Sequence, residues 1–198
     1  MKILHYGSAL VVAFALCSLG CNQPHDTTSN SAPDRQSLKT PAAANNSSAT
    51  APANIANATH SFWTEAAIGG MAEVELGKLA QSKATNNSVK EFGQMMVVDH
   101  SRANDELKEV AARKNVALPT SIDSKHQSEI ERLKGLSGAE FDRAYVELMV
   151  DDHEEDVQKF EEQADKSTDA DAKAFAEKTL PTLRRHLEAI KNVQAKLK

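Results

Sequence analysis

From about residue 60 onward the chain contains only two prolines, Pro119 and Pro181, and its apolar residues recur at intervals of three and four rather than in the alternation of a strand. Such a chain must bury long helical stripes. The pattern predicts helix A at about 61–85, B at 87–114, a short segment at 121–134, C at 137–165 and D at 169–197. Asn86-Asn87-Ser88 and Ser167-Thr168-Asp169 supply turn and N-cap chemistry at two joints, and Gly135 with Ser137-Gly138 marks the third. Long helices joined by short turns pack antiparallel, so the expected fold is all-α, a four-helix bundle with a short extra helix in the B to C connection. Both cysteines, Cys17 and Cys21, precede this region. Packing alone, without a disulfide, must therefore hold the domain together.

The N-terminus reads as an export leader. Lys2 gives the positive start, Ser8 to Leu16 an apolar core too short for a membrane span, and Ser18-Leu19-Gly20 a small-residue exit. Gly20-Cys21 resembles the lipoprotein cleavage box, which places a lipid on Cys21; Ser18 and Gly20 satisfy ordinary signal-peptide cleavage equally well. Residues 22–59 are rich in Asn, Ser, Thr, Ala and Pro and nearly devoid of large apolar side chains, so they cannot offset their ordering entropy. The expected organisation is a signal peptide at 1–20, a disordered polar tether at 21–59 and one domain at 60–198.

That domain carries 20 of the 23 Lys and Arg but 26 of the 28 Asp and Glu. It is acidic, with no basic patch and no Gly-rich phosphate loop, which argues against nucleic acid and nucleotides as partners. On a helical wheel, His100, His153 and His186 fall on the apolar stripes of B, C and D, each near mid-helix. Helix A offers Glu75 just to one side of its stripe of Ile68, Ala72, Leu76 and Leu79, and Glu73 further off on the other. Four helices can thus each bring one polar group to a common layer. Inward-facing ligands of this kind hold metals in bundles, and the candidate ions are Zn, Cu, Fe and Mn. The same residues could equally form a buried hydrogen-bond network that sets helix register. Met96 and Met149, each four residues before a core histidine, are candidate soft ligands that would favour copper, though a methionine on a core stripe ordinarily just packs. Asp99 and Asp152 adjoin core histidines but turn about 100° away, which puts them at the rim.

Four blocks, Gly69-Gly70-Met71-Ala72-Glu73-Val74-Glu75-Leu76-Gly77-Lys78-Leu79-Ala80, Met96-Val97-Val98-Asp99-His100, Phe141 to Tyr145 with Met149 to His153, and Leu180 to Leu187, together resemble the bacterial domain-of-unknown-function family four-one-four-two. The resemblance spans nearly all of 60–198 and implies a ferritin-like fold in a periplasmic or outer-membrane protein. It implies no activity. Di-iron bundles carry Glu-x-x-His on two helices, whereas Val97 and Leu183 stand three residues before His100 and His186. The leading functional expectation is a non-enzymatic, periplasm-facing binding or structural module that binds a ligand, a transition metal being the candidate, at its mid-bundle His/Glu site or packs against a partner. The alternatives are a metal-dependent enzyme of oxidoreductase type, for which no general acid or base stands out, and a structural adaptor with a buried polar network.

Intact-mass analysis of the mature chain tests the anchor. The expected product begins at Cys21 and carries added acyl mass; a chain beginning there without it excludes lipidation. Asn22, rather than an aspartate, then favours the outer membrane.

Overall fold

A computed structural model describes residues 51–197, with side chains from Ser61 onward; the leader, Cys21 and most of the tether lie outside the described residues. All regular structure among the described residues is helical: α1 (Ala51–Lys83), α2 (Asn87–Lys114), α3 (Ser124–Lys134), α4 (Gly138–Lys166) and α5 (Ala170–Leu197). Four of these match the sequence reading to within three residues. The exception is α1, which starts ten residues earlier than helix A was expected to, taking in residues 51–59 that composition assigns to the tether. Alanines 51, 53, 56 and 58 are strong helix formers, and Pro52 sits in the first turn, where its missing N–H costs nothing.

The caps follow from local chemistry. The Asn86 side chain accepts from the Ser88 N–H, the Asp169 side chain accepts from Asp171 and Ala172, and Asn115 closes α2 in the left-handed conformation at φ 53°. Helix α5 continues through Pro181, which is exposed, so the carbonyl of Glu177 loses its helical partner on the solvent side.

Two side-chain contacts fix the helix directions. Asp142, buried at the start of α4, accepts from the backbone N–H groups of Thr85 and Asn86 in the α1–α2 turn. Lys114, at the end of α2, pairs with Asp169 and Asp171 at the start of α5. Helices α2 and α4 therefore run the same way and α1 and α5 the opposite way, with the α3-bearing connection crossing the length of the bundle. Helix α1 packs on α2 and α4, and α5 packs on the same two, so neighbours around the bundle are antiparallel.

Two apolar clusters fill the interior. One joins Leu76, Ala80, Phe92, Met96, Tyr145 and Ile190; the other joins Phe62, Trp63, Leu107, Phe160, Phe175 and Leu183. Along every long helix one buried polar residue falls between them: Glu73, His100, His153 and His186. The bundle is closed tightest between α1 and α2. A Cβ at Gly77 would lie 2.6 Å from the Gly93 carbonyl, and one at Gly93 would lie 2.7 Å from that of Gly77. At Gly69 a Cβ would meet nothing within 4 Å.

Gly77→Ala should therefore destabilise the protein by about 1–3 kcal/mol through overpacking, whereas Gly69→Ala should stabilise it by up to about 1 kcal/mol through helix propensity. Urea melts of the two variants check this. Equal effects would contradict the close approach.

Candidate functional site

His100, His153 and His186 meet at mid-bundle. Their ring centroids form a triangle with sides of 5.3, 5.5 and 5.9 Å, and one ligand atom from each lies within 4.8 Å of the others. His153 and His186 are fully buried and His100 is 6% exposed. Phe92 covers the layer on the side of the first apolar cluster, its ring edge-on to His153 and His186 at 5.8 and 6.4 Å.

Each imidazole spends one ring nitrogen on an acceptor outside the triangle. His100 Nδ1 donates to Glu73 Oε2 at 2.7 Å, His153 Nδ1 donates to the Met149 carbonyl at 2.9 Å, and His186 Nε2 donates to Asp99 Oδ2 at 3.0 Å. The other three nitrogens, His100 Nε2, His153 Nε2 and His186 Nδ1, are buried without a partner, and so is Glu73 Oε1, 3.5 Å from His153 Nε2. A buried polar atom without a partner costs roughly 1–3 kcal/mol, and four of them at one level is a concentrated deficit. An imidazole whose far nitrogen is held by a carboxylate or carbonyl is also the arrangement that orients metal-ligating histidines.

Electrostatics divides the three rings. Burial alone would push the Glu73 carboxyl up, but the charge and hydrogen bond of His100, with smaller help from the other two rings, hold it down at about 2. Burial disfavours the charged form of His100, yet Glu73 overrides it and raises the imidazole above its usual value. Burial dominates at His153, which is lowered, and at His186, which falls to about 4 despite Asp99. Glu73 and His100 thus form an ion pair beside two neutral imidazoles.

The structure separates the two glutamates that the sequence offered. Glu73 enters the layer; Glu75 is exposed and does not. The wheel ranked them the other way because it took the stripe of Ile68, Ala72, Leu76 and Leu79 as the centre of the buried face. The buried face of α1 also includes Gly70 and Gly77 and is centred near Glu73, where small residues let α2 approach. Met96 and Met149 are fully buried within the first apolar cluster, and Met149 also supplies the site with its backbone carbonyl. Asp99, read as a rim residue, reaches across from α2 to α5 and is itself held by Arg185 at 2.7 Å. Asp156 went unnoticed in the sequence. It lines a cavity with Glu73 and His100, and burial, then the charge of Glu73, raises its carboxyl well above the usual range. Its position three residues after His153, on the next turn of α4, was the available signal.

Fold and site together define a helical bundle with a buried histidine cluster. The chain belongs to the family described as Domain of unknown function (DUF4142), whose model matches residues 44–193. Among solved structures it is similar to a DUF305 fragment from Deinococcus radiodurans, at 13% identity and a TM-score of 0.62 over 70% of this chain and 96% of that one. It is also similar to a DUF305 protein from Streptomyces coelicolor named as secreted, at 14% identity and a TM-score of 0.59 over 71% and 93% of the two chains. At these identities the likeness establishes the fold. No curated protein matches the chain. Imidazoles rather than carboxylates converge in the layer, which differs from the carboxylate-rich two-iron centres of helical bundles.

The lowered histidines make a prediction for the metal-free protein. The unfolded chain takes up protons at His153 and His186 near pH 6.5, whereas folded His186 does so only near pH 4, so their contribution is present above 6.5 and lost as pH falls toward 4. His100, being raised, contributes in the opposite sense: fully below 6.5, and less as pH rises through its folded value. Urea midpoints should therefore fall between pH 6.5 and 4, and His186→Gln, which keeps a donor for Asp99 but does not titrate, should flatten the slope. An unchanged slope would contradict the neutral buried imidazole.

Proposed function

We propose that this protein is an exported, non-enzymatic module that binds one transition-metal ion at mid-bundle, through His100 Nε2, His153 Nε2 and His186 Nδ1 with Glu73 beside them. The observation that carries the reading is the meeting of three buried imidazoles, one nitrogen of each tied to an acceptor and the other buried without a hydrogen bond, with one ligand atom from each within 4.8 Å of the others. A register-setting hydrogen-bond network would instead satisfy its own members. Imidazole suits zinc, copper and iron, and the single carboxylate leaves little to recommend manganese. A four-coordinate ion with bonds of about 2.0–2.1 Å places its ligands roughly 3.4 Å apart. One ligand atom from each histidine lies within 4.8 Å of the others, so binding would draw the rings inward. Glu73 keeps His100 oriented and offsets part of the ion's charge.

Export is supported by the leader read from the sequence and by the structural neighbour named as secreted. No described helix is long and apolar enough to cross a membrane. A lipid on Cys21 would give the protein its membrane attachment, at the outer membrane where the cell has one.

Thermal melts of the chelator-stripped mature protein with and without zinc(II), copper(II), iron(II) or manganese(II) test the proposal. At an ion concentration a hundredfold above Kd, stabilisation of about 2.7 kcal/mol corresponds to a rise of roughly 5–10 °C. The rise should shrink by more than half in each of His100→Ala, His153→Ala and His186→Ala. Identical melts with and without every ion overturn the reading and leave the hydrogen-bond network.

A further inference from the structure

A cavity of about 210 Å³ opens beside the histidine layer, bounded mainly by α1, α2 and α4, with the start of α3 at its rim. Its floor includes Glu73 and His100, the two layer residues that retain slight exposure, at 4% and 6%; His153 and His186 show none and do not line it. Glu73 and His100 each carry a buried atom without a hydrogen bond, Oε1 and Nε2 respectively. Burial falls off outward: Asp152 and Asp156, one turn apart on α4, are half-buried, while Glu65, Asp123 and Glu155 at the rim are exposed.

Of the cations in the cavity wall, Lys125 is exposed to solvent, and Lys159 and His126 are already engaged. Lys159 pairs with Glu65 at 3.2 Å and with Glu155 at 2.8 Å, and His126 binds Asp123 at 2.6 Å. Asp152 and Asp156 have no ion-pair partner among the described residues. The lining is thus rich in carboxyls, with Asp152 and Asp156 between the exposed rim and the buried pair Glu73 and His100. Burial, then the charge of Glu73, holds Asp152 up at about 7 and Asp156 well above the usual range, so a cation arriving there also replaces protons. Such a cleft concentrates cations and repels anions. Gly69 forms part of the wall, and the space beside it is open.

We propose that this cavity is the route by which the metal ion enters and leaves the histidine layer, with Asp152 and Asp156 handing a divalent cation from solvent to Glu73 and His100; the inference rests on the metal-binding reading above. The carboxyls replace the ion's hydration waters before the imidazoles do, so the ion is never stripped in one step. His100, the ring nearest the cavity, is the first to engage. The site is therefore exchangeable, as a carrier or buffer of metal requires, and not a sealed structural centre.

The test uses the full mature chain, stripped of metal, at pH 7.5, with cobalt(II) loading followed by its visible absorption and release followed by a chelator chase. The double variant Asp152→Asn/Asp156→Asn should load about tenfold more slowly at low salt, with the gap narrowing at high ionic strength and release unchanged, because charges along an approach path act on association. Gly69→Leu, whose Cβ meets nothing within 4 Å, adds bulk to the wall and should slow loading and release by similar factors and leave the affinity unchanged. Wild-type loading rates in both variants overturn the route while leaving the metal site standing. Absence of any cobalt spectrum in the wild-type protein overturns the metal-binding reading itself, and the route with it.

Discussion

The rest of the structure depends on the accounting of polar atoms in a layer that water barely reaches. Glu73, His100, His153 and His186 divide the interior into two apolar clusters, and none of the four can be paid for by burial. Each is held in place by a bond leading outward, from His100 to Glu73, from His153 to the carbonyl one turn earlier on its own helix, and from His186 to Asp99 across the α2–α5 interface. These bonds fix both ring orientation and tautomer. With one nitrogen of each ring committed as a donor, the other is left buried without a hydrogen bond.

Three facing nitrogens and a carboxylate oxygen make an unfavourable centre unless something positive stands among them. In the metal-free protein the proton on His100 serves in part, since Glu73 favours the charged imidazole. One proton cannot satisfy three inward nitrogens whose centroids are more than 5 Å apart. An ion can, because a single multivalent centre bonds all of them at once, and this is why the geometry argues for binding more strongly than for a network. The departure from the di-iron pattern has the same source: with Val97 and Leu183 where glutamates would stand, Glu73 is the one buried carboxylate of the layer.

Level and register come from elsewhere in the fold. The backbone contact between Gly77 and Gly93 sets how far α1 slides along α2, and the Asp142 bonds to the α1–α2 turn set the start of α4 against the same end. The Lys114 pairs do the same at the opposite end for α5. A shift of one residue along any helix moves its polar side chain by about 100° and 1.5 Å, enough to take a histidine out of the layer.

The all-helical class, four of the five helix spans and the three histidines on apolar faces were legible in the amino-acid order, because these rest on local periodicity and on turn residues such as Asn86 and Asp169 whose chemistry acts within a few positions. It could not choose correctly between Glu73 and Glu75. That choice depends on which side of α1 its neighbours cover, and the glycines that admit α2 carry no hydrophobic signal. Nor could it find the Met149 carbonyl, the reach of Asp99 to His186, or Asp156 in the cavity wall. These are relations between a side chain and whatever a neighbouring turn or another helix places opposite it, and only the packed tertiary structure decides what that is.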